Sequence, residues 1–157
     1  MADATLANDT RGYRGYITSQ PVNGLAYPHK VQNLVVRDYC RRKGLNFYLS
    51  VTEGSVPGAD MMLNGLLGDL GSLRGVVVFS QFVLPRKREV RARLYEQIVI
   101  AGCELHAALE EISIATRADI AAFEAPLAIA AWLPATPYGG KFPLDRSDNP
   151  VVALRDR

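Results

Sequence analysis

Hydrophobic and polar positions follow two alternating patterns along this chain of 157 residues. Short runs of β-branched and aromatic residues are typical of strands, and we predict four of them, at 13–19, 45–51, 75–80 and 103–114. Apolar residues three and four positions apart are typical of helices, which we predict over 31–43, 60–73, 84–101 and 116–131. This alternation predicts an α/β fold of three layers, in which a mostly parallel four-stranded sheet carries helices on both faces.

Glycine and proline refine these elements. Gly44 is placed to end the first helix in a left-handed conformation, and Gly15 indicates a close approach of another chain segment to the first strand. Pro126 is expected to kink or divide the last helix, because proline lacks the amide hydrogen that a helix interior needs. Three glycines in the second helix suggest a face pressed against the sheet or against a partner subunit: Gly65, Gly68 and Gly71.

The chain is expected to form a single domain over 13–131, because its length suffices for one hydrophobic core. Residues 1–12 are interpreted as a flexible lead-in, and residues 132–157, rich in proline and glycine, as an extended tail. The aromatic residues Trp132, Tyr138 and Phe142 favour docking of this tail on a neighbouring surface. Together with the glycine-rich helix, they lead us to predict a homodimer.

Composition argues against several functional classes. Hydrophobic residues make up 48% and charged residues 22% of the chain, and the net charge of +2 does not indicate nucleic acid or an acidic membrane as a partner. The sequence shows no signal peptide and no apolar run of the roughly 18 residues that span a bilayer, so we predict a cytoplasmic protein. Cys40 and Cys103 lie in apolar patterns typical of buried thiols. No phosphate loop, dinucleotide fingerprint or metal-ligand cluster is recognisable, so neither cofactor nor metal is expected.

Polar residues follow most of the predicted strands. In a parallel sheet the carboxyl ends of the strands share one edge, which is where α/β proteins bind ligands. The start of the first helix lies at the same edge and adds backbone N–H groups that suit an anion. We therefore expect a polar pocket formed by the residues that follow the strands or open this helix: Ser19, Gln20, Gln32, Asn33, Glu53, Ser55, Ser80, Gln81 and Glu110.

Four residues are candidates for catalysis. Glu53 and Glu110 end strands at this edge, and His106 lies in the fourth strand, so that with Ser19 as a nucleophile they would suffice for acid/base chemistry on a sugar. The alternative for His106 is a structural role. If Glu53, Glu110 and His106 point away from Ser19, the interpretation as an enzyme fails.

The remaining pocket residues are candidates for substrate binding. Arg37 in the first helix could bind a carboxylate or a phosphate with both arms of its guanidinium, as in a sugar acid, sugar phosphate or nucleotide sugar. The alternative is a surface ion pair with the adjacent Asp38. The substrate-binding candidates are Gln20, Gln32, Asn33, Arg37, Ser80 and Gln81.

The order of the elements resembles the catalytic domain of the serine recombinases, or resolvases. In that family the first strand ends in a serine nucleophile, at a position that corresponds to Ser19. The family has an arginine two residues earlier, where this chain has Ile17, and an arginine pair after the third strand, where this chain reads SQFVLP. Without these arginines phosphoryl transfer loses most of its electrostatic stabilisation. The resemblance therefore implies the fold and not recombination.

A second resemblance covers roughly residues 13–112 and is carried mainly by the runs RGYITS at 14–19, VQNLVVRDYC at 31–40 and VFSQFVLP at 78–85. These runs are similar to a bacterial family known as sporadic carbohydrate-cluster proteins, found beside sugar-biosynthesis genes. The resemblance implies a role in the synthesis of a surface sugar, by epimerisation, isomerisation or dehydration. The alternatives are a non-catalytic sugar- or nucleotide-binding partner of a pathway enzyme and, more weakly, a recombinase-like DNA protein that has lost catalysis.

Overall fold

A five-stranded sheet forms the centre of the protein. The structure, a computed structural model, describes residues 10–56 and 58–132. The sheet order is β2-β1-β3-β4-β5; the first four strands are parallel, and β5 is antiparallel to β4. The strands are β1 (Tyr13–Thr18), β2 (Phe47–Glu53), β3 (Gly75–Val78), β4 (Glu104–Ala107) and β5 (Ile112–Ile114).

Helices cover both faces of this sheet, as the hydrophobic pattern predicts. They are α1 (His29–Lys43), α2 (Met61–Gly68), α3 (Arg88–Ile100) and α4 (Ile120–Trp132). Alternate residues of β1 point to opposite faces: Ile17 packs with Val36 and Tyr39 of α1, whereas Tyr16 belongs to a cluster with Leu63 of α2 and Leu94 of α3. All four residues of β3 are buried, which confirms a central strand covered on both faces.

The predicted fourth strand is two strands. The chain turns after Ala107 and returns as β5, so the sheet has five strands rather than four. Glu111 in this turn has φ of +56°, a left-handed conformation that reverses the chain direction. The Glu111 carboxylate forms an ion pair with Arg42, near the end of α1, with Oε1 and Nη1 2.7 Å apart. This ion pair attaches the turn to that helix.

Several element boundaries differ from the pattern for local reasons. β1 ends at Thr18 rather than at residue 19, because the side-chain amide of Gln32 bonds both the N–H and the C=O of Thr18. α3 begins at Arg88 rather than at 84, because a short 3-10 turn, Gln81–Val83, is followed by Pro85. α4 continues through Pro126, so the proline does not divide this helix. Pro126 is exposed, so water can reach the backbone carbonyl that the proline leaves unpaired.

The glycine predictions have mixed outcomes. Gly44 ends α1 with φ of +67°, and a Cβ at Gly15 would lie 2.2 Å from Ser50 Oγ, so both predictions are confirmed. The close packing predicted for Gly65, Gly68 and Gly71 is wrong within the fold. Among the described residues, no heavy atom lies within 4 Å of a Cβ placed at any of these three glycines.

A buried ion pair attaches α4 to α3. Arg91 Nε donates to both carboxylate oxygens of Glu124 at 3.0 and 3.1 Å, and Tyr95 Oη donates to the same carboxylate at 2.6 Å. Arg91 also donates to the backbone oxygens of Pro85 and Arg86, which holds the loop after β3. The only charged residue of α4 is thereby turned inward.

Some sequence-based interpretations concern parts outside the described residues. These are most of the lead-in, the tail beyond residue 132 and the docking of Tyr138 and Phe142, and the homodimer also stays a prediction. Cys40 and Cys103 are buried and form no disulfide within the described residues, and burial raises the pKa of the Cys40 thiol to about 11. Within 10–56 and 58–132 no helix is long and apolar enough to cross a membrane.

Candidate functional site

The carboxyl end of β1 places a serine beside a histidine. Ser19 directly follows β1, and its N–H donates to the backbone oxygen of Glu53 at 3.0 Å, which fixes its position at the edge of the sheet. Ser19 Oγ lies 2.8 Å from Nε2 of His29, the first residue of α1. His29 is exposed and Ser19 is half-buried, so the pair faces solvent and is accessible to a ligand.

A tight turn brings His29 back to Ser19. Val22 and Leu25 exchange two backbone hydrogen bonds of 2.8 and 3.0 Å around Asn23 and Gly24, both of which have positive φ. An Asn-Gly pair is the sequence that such a turn favours. The chain then passes Tyr27, whose ring packs on Phe79 with centroids 5.2 Å apart, before α1 begins. This loop therefore sets the distance between the hydroxyl and the imidazole.

The start of α1 is favourable to an anion. Pro28 precedes the helix and contributes no side-chain cap, and the first turn holds no acidic residue. Lys30 adds a positive charge there, and the N-terminal N–H groups of a helix carry a partial positive charge. Asn33 lies four residues after His29, on the same face of α1, and is half-buried. These groups lie in the first two turns of α1, the helix that begins with His29.

Two of the predicted substrate-binding glutamines hold the site together instead of facing a ligand. Gln32 is fully buried; its Oε1 accepts the Thr18 N–H, and its Nε2 donates to the oxygens of Thr18 and Tyr27 at 2.8 and 2.9 Å. Gln20 Nε2 donates to the oxygen of Ala59 at 3.0 Å and so ties the end of β1 to the loop before α2. Both amides are committed to backbone groups.

Glu53 does not join Ser19. Its Oε2 accepts the N–H groups of Met62 and Leu63 at 2.8 and 3.3 Å and the hydroxyl of Tyr16 at 3.4 Å. The carboxylate thus caps the start of α2, on the sheet face opposite α1. Glu53 also affects the nearby Asp60. Burial, and then the negative charge of Glu53, raise the pKa of the Asp60 carboxyl.

Ser80, Gln81 and Glu110 form a separate group after β3 and β4. Ser80 Oγ donates to Glu110 Oε1 at 2.5 Å, and the Gln81 N–H donates to Glu110 Oε2 at 3.0 Å. Glu110 therefore connects the loop after β4 to the loop after β3. Its hydrogen bonds go to the loop after β3 and not to Ser19. The side chain of Gln81 is fully buried, and neither of its polar atoms has a hydrogen-bond partner among the described residues.

His106 belongs to a cluster near the amino end of β4. Its Nδ1 lies 2.9 Å from Tyr39 Oη and its Nε2 2.8 Å from Glu104 Oε2, which also accepts the Tyr13 hydroxyl at 2.7 Å. Burial is the main cause of the lowered pKa of His106, and the Glu104 carboxylate partly opposes it. Because Glu104 and Tyr13 are the first residues of their strands, this cluster lies towards the edge opposite Ser19.

Arg37 is also remote from the predicted pocket. It is exposed on α1, two turns beyond His29, and lines a shallow groove with Leu45 and Phe47 at the amino end of β2. The predicted pairing with Asp38 is absent among the described residues, because Asp38 bonds Arg41 and Arg42, each at 2.7 Å.

The structure therefore assembles a smaller site than the sequence predicts. Ser19 meets His29 and the start of α1, with Asn33 on the same helix face, whereas Glu53, Glu110 and His106 point elsewhere. The interpretation as an enzyme that uses these three groups with Ser19 therefore fails, and any catalysis at this edge depends on Ser19 and His29 alone. Sequence reasoning missed His29 as the partner of Ser19. The position of His29 could have indicated this contact, because His29 is the first residue of α1 and α1 starts at the sheet edge where Ser19 lies. In the described segments no group of three His, Cys, Asp or Glu side chains could hold a metal ion.

Comparison with known proteins supports the fold. No family model and no curated protein matches this chain, so the resemblance to the carbohydrate-cluster family gains no support. A solved structure, the N-terminal catalytic domain of TP901-1 integrase, a serine recombinase, is similar at a TM-score of 0.56 and 15% identity. The match covers 75% of this chain and 94% of that domain. At this identity the similarity shows a resolvase-like fold.

Proposed function

We propose that the protein binds a phosphorylated sugar, as a sugar phosphate or nucleotide sugar, at the start of α1, and that Ser19 and His29 transfer a proton on it. The observation that carries the proposal is the 2.8 Å contact between Ser19 Oγ and His29 Nε2 on an accessible sheet edge. An imidazole nitrogen that accepts the serine proton increases the basicity and nucleophilicity of the hydroxyl oxygen.

The surroundings of the pair favour a phosphate. The uncapped first turn of α1 and Lys30 offer positive charge without a competing carboxylate in that turn. The proton transfer fits epimerisation, isomerisation or dehydration, in which a base removes a proton from a sugar carbon. No metal or redox group enters this scheme.

The experiment combines binding and turnover on the full chain. A sugar phosphate or nucleotide sugar at about a hundred times its Kd should stabilise the fold by roughly 2.7 kcal/mol, a Tm shift of about 5–10 °C. In deuterated water, proton transfer should introduce deuterium at a sugar carbon, which NMR detects. Ser19→Ala and His29→Gln should each abolish this exchange, whereas Ser113→Ala, an exposed serine of β5, should leave it unchanged.

The same variants separate the alternatives. Exchange that survives in both Ser19→Ala and His29→Gln would contradict the proposed chemistry. Binding without exchange in the unaltered protein would instead favour a non-catalytic binding partner, an alternative that the engagement of Glu53, Glu110 and His106 elsewhere supports. If no sugar phosphate or nucleotide sugar stabilises the fold, both the enzymatic and the non-catalytic sugar-binding function are contradicted.

A DNA-binding function is a second candidate, favoured by the resolvase-like fold. The exposed segment 86–88, with the sequence RKR, follows β3 and therefore lies near the same edge of the sheet as Ser19. Binding to duplex DNA that weakens steeply between 50 and 200 mM salt, as is usual for phosphate contacts, would support it. Replacement of the three basic residues by glutamine should then abolish the binding.

A further inference from the structure

We propose that the cleft between α2 and α3 binds a small zwitterion, an α-amino acid with an aliphatic side chain, between Asp60 and Arg93. The cleft has a volume of about 220 Å³ and lies on the sheet face opposite α1. It is therefore separate from the Ser19–His29 pair. Its polar groups come from both helices, and its apolar surface is supplied by leucines.

The backbone oxygen of Asp60 accepts the Asn64 N–H at 2.9 Å, but its acidic side chain makes no hydrogen bond among the described residues. Asp60 occupies the N-cap position of α2, where an aspartate normally accepts an N–H from the first turn. Glu53 takes that role from β2, so the Asp60 side chain makes no cap. Among the described residues the Asp60 carboxylate has no hydrogen-bond or ion-pair partner, and it lines the cleft. Burial and the nearby Glu53 raise its pKa, which a cationic group in the cleft would reverse.

Arg93 supplies the opposite charge across the cleft. Its Nε makes one long hydrogen bond of 3.4 Å to the oxygen of Glu89, and in the described part of the chain its two terminal nitrogens have no partner. Asp60 and Arg93 line the same cleft but form no ion pair with each other. A ligand with an ammonium and a carboxylate group satisfies both, since the carboxylate can accept two parallel bonds from the guanidinium.

The other lining residues determine the size and the apolar part of this ligand. Ligand pockets usually measure about 300–1,000 Å³, so a cleft of about 220 Å³ suits a ligand as small as one amino acid. Leu63, Leu67 and Leu94 line the cleft and provide contact for an aliphatic side chain. Asn64 and Gln97 also line the cleft, and their amides can supplement either charged contact.

Isothermal titration of the full chain tests this inference. L-leucine and L-valine are expected to bind, while N-acetyl-leucine, which lacks the ammonium, and leucinamide, which lacks the carboxylate, should each bind at least tenfold more weakly. Asp60→Asn and Arg93→Gln should raise the Kd of leucine at least tenfold. Matched controls are Asp69→Asn, an exposed residue after α2, and Arg41→Gln on the opposite face; both should leave the Kd unchanged.

The outcomes are distinguishable from those at Ser19. Leucine binding should persist in Ser19→Ala and His29→Gln, so failure of the proposed enzymatic function would not affect it. Absence of binding heat for both L-leucine and L-valine at 10 mM would overturn the proposal. A Kd of N-acetyl-leucine equal to that of leucine would overturn it as well. Binding of a neutral monosaccharide in preference to leucine would also overturn it, because a polyol does not need the two opposite charges. Circular dichroism of each variant verifies that the fold is retained.

Discussion

Replacement of Glu53 by alanine should destabilise the protein much more than the loss of one exposed carboxylate. Glu53 is 2% exposed, and its Oε2 accepts the N–H groups of Met62 and Leu63 and the hydroxyl of Tyr16. The loss of a helix cap costs about 0.5–2 kcal/mol, and a buried donor left without a partner costs about 1–3 kcal/mol. Because water can reach part of the helix end, we expect a combined loss of about 2–4 kcal/mol in the free energy of unfolding.

The neighbouring Asp60 provides the sharp contrast. It has the sequence position of the cap but makes no capping hydrogen bond, so Asp60→Ala should change the free energy of unfolding by less than about 0.5 kcal/mol. Its raised pKa gives the sign of any residual effect: the ionised form is disfavoured in the fold, so removal of the charge should be neutral or slightly stabilising at pH 7. Glu53→Gln keeps an acceptor oxygen and should lose less than Glu53→Ala.

Urea denaturation of the full chain at pH 7, followed by the far-ultraviolet circular dichroism signal, measures these differences. A loss of 3 kcal/mol corresponds to a Tm decrease of about 6–12 °C at this chain length. A loss below about 1 kcal/mol for Glu53→Ala would refute the assignment of Glu53 as the cap. An equal loss for Asp60→Ala and Glu53→Ala would refute it as well, because it would indicate that Asp60, the residue at the N-cap position, caps α2.

Two further predictions concern buried polar groups. Gln81→Met removes a buried amide that has no partner among the described residues, so we expect the free energy of unfolding to rise by about 1 kcal/mol; a decrease, measured by urea denaturation, would contradict this. The pKa of His106 is lowered in the fold, so the unfolded chain binds the proton more tightly and stability should fall as the pH decreases below about 6.5. This decrease between pH 7.5 and 5.5 should be smaller in His106→Gln, and an identical pH profile for the two proteins would exclude His106 as its source.

The sheet and its covering helices could be predicted because both depend on hydrophobic periodicity. The mostly apolar, β-branched run at 75–80 is typical of a strand at the centre of a parallel sheet, and the structure has β3 there. The fifth strand could not be recognised, because its reversal depends on Glu111, a residue type that seldom has positive φ. Glycine or asparagine at that position would have indicated the turn.

Sequence reasoning placed Ser19 and Glu53 at one edge of the sheet, but it could not give the directions of their side chains. Topology places Ser19 and Glu53 next to each other, and a backbone hydrogen bond of 3.0 Å joins them. Side-chain direction depends on register, and Glu53 pairs with Thr18, whose side chain lies on the face opposite that of Ser19. Strand pairing at single-residue accuracy is needed to see this, and hydrophobic patterns do not supply it.

The hydrogen-bonding needs of the loops also explain why Glu53 and Glu110 do not face Ser19. Loops at the carboxyl edge expose backbone N–H groups that need acceptors, and Glu53 and Glu110 satisfy them at the start of α2 and at Gln81. The uncommitted groups are then divided by the sheet: a serine, an imidazole and the positive end of α1 on one face, and Asp60 with Arg93 on the other. Chemistry that needs a buried carboxylate beside Ser19 is therefore excluded among the described residues. The phosphorylated ligand that we propose at the start of α1 would use the groups that remain.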